Sequence, residues 1–225
     1  MGETVSLRSA RDGFTFGAYR APATEARRGG LVICHAIWGV TPHLRELADG
    51  YADLGYEVLV PSLFDRFQRG FADRDTDPAL MARQNGFAEA SGWGAEVLDA
   101  VQAAILALQP PVFAVGFCFG GTVAWLAAGR CEGLSAVACY YGHIARHLEE
   151  TPKVPVLLHF GRRDELIPPA DVESIRQAYP DLAVHLYDAG HAFVAPNGYD
   201  AEAARLAGLR TLALFANHGG GRSAA

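Results

Sequence analysis

Short apolar runs alternate with stripes of apolar residues at helical spacing along almost the whole chain. The run Gly30-Leu31-Val32-Ile33-Cys34 is continuous, as expected of a strand covered on both faces. Further strands are predicted at Tyr56–Pro61, 112–115, Leu134–Tyr140, 156–160 and Ala183–Tyr187, with an early pair at 4–9 and 13–18. Between them, helices are predicted at 42–55, 94–108, 122–128 and 171–179. A final helix is capped by Asp200 and runs to about Phe215. The helix over 42–55 has Leu44, Leu47, Ala48, Tyr51 and Leu54 on one side and Gly55 at its stop. Residues 65–91, rich in Arg, Asp and Gly, predict a loop and a short helix over one end of the sheet.

Strands and helices in this order predict an α/β fold with a mainly parallel central sheet and helices on both faces. Neither a repeat nor a composition break divides the chain. Residues 1–218 are expected to form a single domain, and 219–225 a flexible C-terminal tail.

Charge narrows the function classes. With 19 Lys and Arg against 25 Asp and Glu, the formal net charge is -6, which argues against a nucleic-acid binder. No apolar run approaches the length of a membrane span, and the first ten residues contain no apolar signal core. The four cysteines, Cys34, Cys118, Cys131 and Cys139, form no C-x-x-C pair, so neither a zinc ribbon nor a redox motif is visible. A reducing, cytoplasmic setting is predicted.

The sharpest chemical signal is Gly116-Phe117-Cys118-Phe119-Gly120-Gly121, between an apolar strand and a nearly all-apolar helix. In a G-x-nucleophile-x-G turn the glycines are a steric requirement, because strand, turn and helix crowd together there. The turn would hold the thiol above the sheet at a helix N-terminus, where the dipole favours a thiolate. The Phe119 N–H could then face a developing oxyanion. The bland alternative is a small buried thiol in an ordinary Gly-rich strand-to-helix turn. The spacing fits neither a dinucleotide fingerprint nor a P-loop.

A cysteine nucleophile needs a base. Among eight histidines, His191 in Asp188-Ala189-Gly190-His191-Ala192-Phe193 follows the last predicted strand. His159 falls inside a strand, and His43, His147 and His218 fall on polar segments. His35 and His143 follow strands and could line a pocket. Asp164 ends Phe160-Gly161-Arg162-Arg163-Asp164 after an earlier strand, placed to hold the imidazole. Nucleophile, acid and histidine thus occur in the chain order of α/β-hydrolases.

With these residues in view, the sequence resembles the dienelactone hydrolase family over nearly its whole length. The resemblance rests on Asp12-Gly13-Phe14-Thr15-Phe16-Gly17-Ala18, Ile37-Trp38-Gly39-Val40, Gly55-Tyr56-Glu57-Val58, Pro61-Ser62-Leu63-Phe64 and the Cys118 elbow. It continues through Tyr140-Tyr141-Gly142, Gly161-Arg162-Arg163-Asp164 and Ala189-Gly190-His191-Ala192-Phe193. Most α/β-hydrolases use serine in the elbow, whereas this family uses cysteine. The resemblance implies an α/β-hydrolase fold, a Cys118–His191–Asp164 triad and an oxyanion hole from the backbone N–H groups of Ile37 and Phe119. It also implies no metal or organic cofactor.

Two positions depart from the family pattern. Where members carry a glutamate inside a Q-E-I-F-G-like motif, this chain has Ala36 in His35-Ala36-Ile37-Trp38-Gly39. That departure implies that Cys118 pairs directly with His191, as a thiolate–imidazolium pair. Where members acting on dienelactone carry an arginine in an H-S-F-A-R-like run, this chain has Ala195. Arg83 is the match to another family arginine. Alanine cannot replace a bidentate carboxylate clamp, so a more neutral or bulkier ester or lactone is expected. His35, Trp38, Arg83, Phe117 and Phe193 are the candidate pocket residues, with the Phe119 ring a further wall.

The expected activity is hydrolysis of a small-molecule carboxylic ester or lactone through a cysteine thioester. The expected state is a monomer or weak homodimer with no nucleic-acid or membrane partner. The alternative from another class is a non-catalytic binding or thiol redox-sensing protein on the same fold. An amidotransferase-like elbow is disfavoured, since His191-Ala192-Phe193 lacks the required glutamate two residues on.

Overall fold

The computed structural model describes residues 2–73, 78–91 and 93–221. Its centre is an eight-stranded sheet in the order β1-β2-β4-β3-β5-β6-β7-β8. β1 (Glu3–Arg8) and β2 (Thr15–Ala21) form an antiparallel hairpin at one edge, and β2 runs antiparallel to β4 (Tyr56–Pro61). From β4 onward every pairing is parallel, through β3 (Gly29–Cys34), β5 (Val112–Phe117), β6 (Leu134–Tyr140), β7 (Val156–Gly161) and β8 (Ala183–Tyr187). β3, β5 and β7 are buried at every residue, as their unbroken apolar runs require.

Two apolar layers clamp the sheet. α1 (Pro42–Asp53) and α6 (Ala201–Phe215) cover one face, where Leu31, Tyr56, Phe113 and Phe215 pack together. α3 (Ala95–Leu106), α4 (Phe119–Arg130) and α5 (Pro169–Ala178) cover the other, around Val32, Ala114, Trp125 and Leu158. Thr41 and Asp200 cap α1 and α6 by accepting from Leu44 N–H and Ala203 N–H. Parallel strands deliver all their C-terminal ends to one edge, where the connecting loops gather.

Four expectations shift. Gly13 lies in the hairpin turn at φ +73° rather than in a strand, and β2 extends to Ala21 instead. The irregular segment contains a full 14-residue helix, α2 (Pro78–Ser91), where a short one was expected. Buried Gln84 and Ser91 interrupt its inward side, so no continuous apolar stripe announces it. α4 begins at Phe119, not at 122, because Gly120 and Gly121 form its tightly packed first turn. At the expected tail, Ala216–Gly220 form a single π turn, and Gly220 is buried near Phe113 and Phe215. Residues 222–225 lie outside the described residues.

Candidate active site

β5 ends in a bend that only glycine-rich sequence can make. Cys118 takes φ 55° and ψ -116°, a strained posture for a residue with a side chain. Its neighbours enforce it. A Cβ on Gly116 would stand 1.9 Å from the Gly120 carbonyl, and one on Gly120 would stand 2.1 Å from the Cys34 carbonyl. The Cys118 N–H donates to the Tyr140 carbonyl at 3.0 Å, tying the bend to the next strand. Phe119 is the first residue of α4, so its N–H has no acceptor within the helix.

The carboxylate and the imidazole come from the loops after β7 and β8. Asp164 Oδ2 accepts from His191 Nδ1 at 2.8 Å, with the Asp164 side chain wholly buried. Asp164 Oδ1 accepts from the N–H groups of Leu166 at 2.8 Å and Ile167 at 3.1 Å. The acid is therefore held on both oxygens, and His191 carries its proton on Nδ1 when neutral. The other ring nitrogen, Nε2, is buried without a hydrogen-bond partner among the described residues. Burial works against a charged His191 ring, but the bond to Asp164 and the electrostatic pull of Cys118 outweigh it. Together they raise its pKa to about 9.

Cys118 and His191 open on one cavity of about 280 Å³. Ile37, Trp38, Leu44, Leu47, Met81, Phe117, Leu166 and Val194 give it an apolar wall, with Thr41, His43, Tyr141 and Asn197 among its polar contributors. Ala36 and Ala195, the two alanines at the departing positions, both line it. No lysine or arginine does so among the described residues.

Of the expected pocket residues, Trp38 and Phe117 line this cavity, as does Ile37. Three do not. His35 is buried behind it, donating from Nδ1 to the Ala36 carbonyl at 2.7 Å and accepting at Nε2 from Leu63 N–H at 3.0 Å. Burial pushes its pKa down to about 4, so the ring is neutral and serves the backbone. Phe193 points inward among Tyr140, Tyr141 and Tyr187, where it anchors the histidine loop. Arg83 is exposed on α2, bonded to Gln68 with its guanidinium 5.6 Å from the Phe87 ring centroid. The Phe119 ring is also turned away, packed on Phe64 and Trp93.

Sequence reasoning missed Tyr141. It follows β6 at φ 40°, lines the cavity, and sets its ring 4.9 Å from that of His191. Burial, reinforced by nearby Cys118, pushes its hydroxyl pKa well up, so it remains a neutral phenol. The available signal was its position one residue past a strand end, beside Gly142. Of this segment only Arg83 is expected at the pocket from sequence, whereas the helix sets Met81 there and leaves Arg83 exposed.

Among the described residues, no group of three or more His, Cys, Asp or Glu is placed to hold a metal ion. No described helix is long and apolar enough to cross a membrane.

Comparison with known proteins agrees with this architecture. The family model described as "Dienelactone hydrolase family" matches residues 16–219. A carboxymethylenebutenolidase of Pseudomonas putida is 33% identical over 227 residues, covering 95% of this chain and 96% of its own length. A Klebsiella pneumoniae structure, provisionally named a dienelactone hydrolase, superposes with TM-score 0.81 at 25% identity, covering 96% of this chain and 99% of that one. A dienelactone hydrolase structure from Anabaena variabilis gives TM-score 0.68 at 18% identity, over 97% and 98% of the two chains, a likeness of fold. A family match that runs from β2 to beyond the end of α6, joined by relatives of nearly equal length, makes this chain a hydrolase of the dienelactone hydrolase family.

Proposed function

We propose that the protein hydrolyses a neutral, largely apolar carboxylic ester or lactone through a thioester on Cys118. The observation that carries this reading is the 2.8 Å bond from His191 to a fully buried Asp164, with His191 and a strained Cys118 opening on a cavity that no described Lys, Arg, Asp or Glu lines. Hydrolysis of dienelactone itself is disfavoured, because Ala36 and Ala195 leave the wall without the acid and the arginine expected of enzymes for that anion.

In the cycle, the Cys118 sulfur adds to the substrate carbonyl carbon, and the carbonyl electrons move onto oxygen. The N–H groups of Ile37 and Phe119 receive that oxyanion. Its collapse expels the alkoxide, which takes the proton of the His191 imidazolium and leaves the acyl group on sulfur. His191, now neutral, removes a proton from water as the water attacks the thioester. The second oxyanion collapses to release the carboxylic acid, and the thiolate–imidazolium pair is restored. Asp164 holds the tautomer and the ring orientation throughout.

A panel of p-nitrophenyl esters and small lactones tests the reading. Turnover should favour neutral acyl groups, disappear in Cys118→Ala, and pass through a covalent adduct of Cys118 visible by mass spectrometry. Turnover that survives Cys118→Ala would sink the nucleophile assignment. The proposal includes a reducing, cytoplasmic setting, which free thiols at Cys34, Cys118, Cys131 and Cys139 suit, and a monomer or weak homodimer.

A further inference from the structure

The turn that carries Ile37 is held from outside the proposed triad. Gly39 N–H returns to the Ala36 carbonyl at 3.2 Å, and Gly39 sits at φ +73°. Residues 71–73 lie alongside it. Gly39 bridges Ala72, Asp73 N–H donates to the Trp38 carbonyl at 3.0 Å, and a Cβ on Gly39 would stand 2.0 Å from the Phe71 carbonyl.

That supporting segment is held by the packing of Phe71 on Phe64 and Phe87 and, at Asp73, by a buried amide. Gln84, fully buried in α2, donates from Nε2 to the Asp73 carbonyl at 3.1 Å. Its Oε1 is buried with no hydrogen-bond partner among the described residues. Turning the amide over would set that oxygen against the Asp73 carbonyl, so the orientation is forced. A buried amide with its oxygen unmet is destabilising, which offsets what an apolar side chain of the same size would lose at the Asp73 carbonyl. One turn earlier on the same helix, Met81 lines the cavity.

The geometry points to Gln84 as a positioning residue for the oxyanion hole: through Asp73 it fixes the Trp38 carbonyl, and with it the turn that aims the Ile37 N–H. This rests on the reading above, in which that N–H receives the oxyanion. Because Gln84 touches neither thiol nor imidazole, its loss should leave Cys118 as reactive as before. It should weaken only steps in which charge develops on the carbonyl oxygen.

The test is Gln84→Met in the full chain, with Gln84→Leu as the second variant should the first not fold. Four quantities are measured: thermal midpoint, kcat and KM on a p-nitrophenyl ester, affinity for a trifluoromethyl ketone, and the rate of Cys118 alkylation by iodoacetamide. The ketone accepts the thiolate at its carbonyl carbon and places an oxyanion in the hole, whereas alkylation forms none. The expected result is kcat lowered about 10–100-fold with KM within about 2-fold, ketone affinity lowered in parallel, and midpoint and alkylation rate unchanged. Unchanged kcat overturns the inference. So does a fall in alkylation rate or midpoint that tracks the lost turnover, since that marks a packing role. A wild-type protein that neither turns over esters nor binds the ketone removes the hydrolytic reading itself, and this inference with it.

Discussion

Asp164 holds His191 with one carboxylate oxygen while the other is held by the backbone of its own loop. The two roles can be separated by mutation. In Asp164→Asn the amide oxygen can still accept from Leu166 and Ile167 N–H, but the charge opposite the imidazole is gone. Turnover should fall roughly 10²–10⁴-fold with the fold intact. Asp164→Ala also leaves two backbone donors without their acceptor, and should lower stability by about 1–3 kcal/mol. Parallel kinetics and thermal melts of the two variants check this, and equal stability of the pair would count against it.

The raised His191 pKa carries a stability consequence of definite sign. Between the unfolded value of about 6.5 and the folded value of about 9, the native protein binds more protons than the unfolded chain. Unfolding in that window releases a proton, so stability from this group is full below pH 6.5 and fades as pH rises through 9. The loss should be on the order of 2 kcal/mol. Urea melts from pH 6 to 10 on wild type and His191→Gln measure it. The two curves should converge toward high pH, and parallel curves would refute the shift.

The elbow glycines allow a paired test of crowding. Gly116→Ala forces a methyl group to within 1.9 Å of a carbonyl oxygen, which only backbone movement relieves. Destabilisation by more than about 3 kcal/mol is expected, together with a thermal midpoint lower by roughly 6–12 °C. Gly208→Ala, on α6, meets nothing within 4 Å and should leave stability unchanged or slightly improved. Calorimetry on the two proteins settles the comparison.

Ala195, which stands where the family resemblance expects an arginine for a substrate carboxylate, lines the cavity. Ala195→Arg should therefore raise kcat/KM for a carboxylate-bearing lactone at least about 10-fold relative to a neutral ester. The measurement is the ratio of the two constants in each protein. A ratio that does not move would show that the wall near residue 195 lies away from the bound substrate.

Much of this architecture was legible in sequence, for reasons that differ from residue to residue. β3 and β5 announce themselves because burial on both faces leaves an unbroken apolar run. The candidate triad residues stand out because each follows a strand, and a parallel sheet collects such positions at one edge. Tyr141 and Met81 were not legible. A tyrosine after a strand looks like core, and α2 hides its inward side behind Gln84 and Ser91. His35 and Phe193 were misplaced because chain position fixes where a backbone lies, not which way a side chain turns. His35 turned toward the backbone groups of Ala36 and Leu63, and Phe193 toward three tyrosines.

The sharp bend at residue 118 is enforced by main-chain crowding and a main-chain hydrogen bond from three neighbouring segments. The platform is therefore indifferent to the atom it displays. Exchanging sulfur for oxygen at the tip would alter the reactivity on offer while leaving the scaffold beneath it undisturbed.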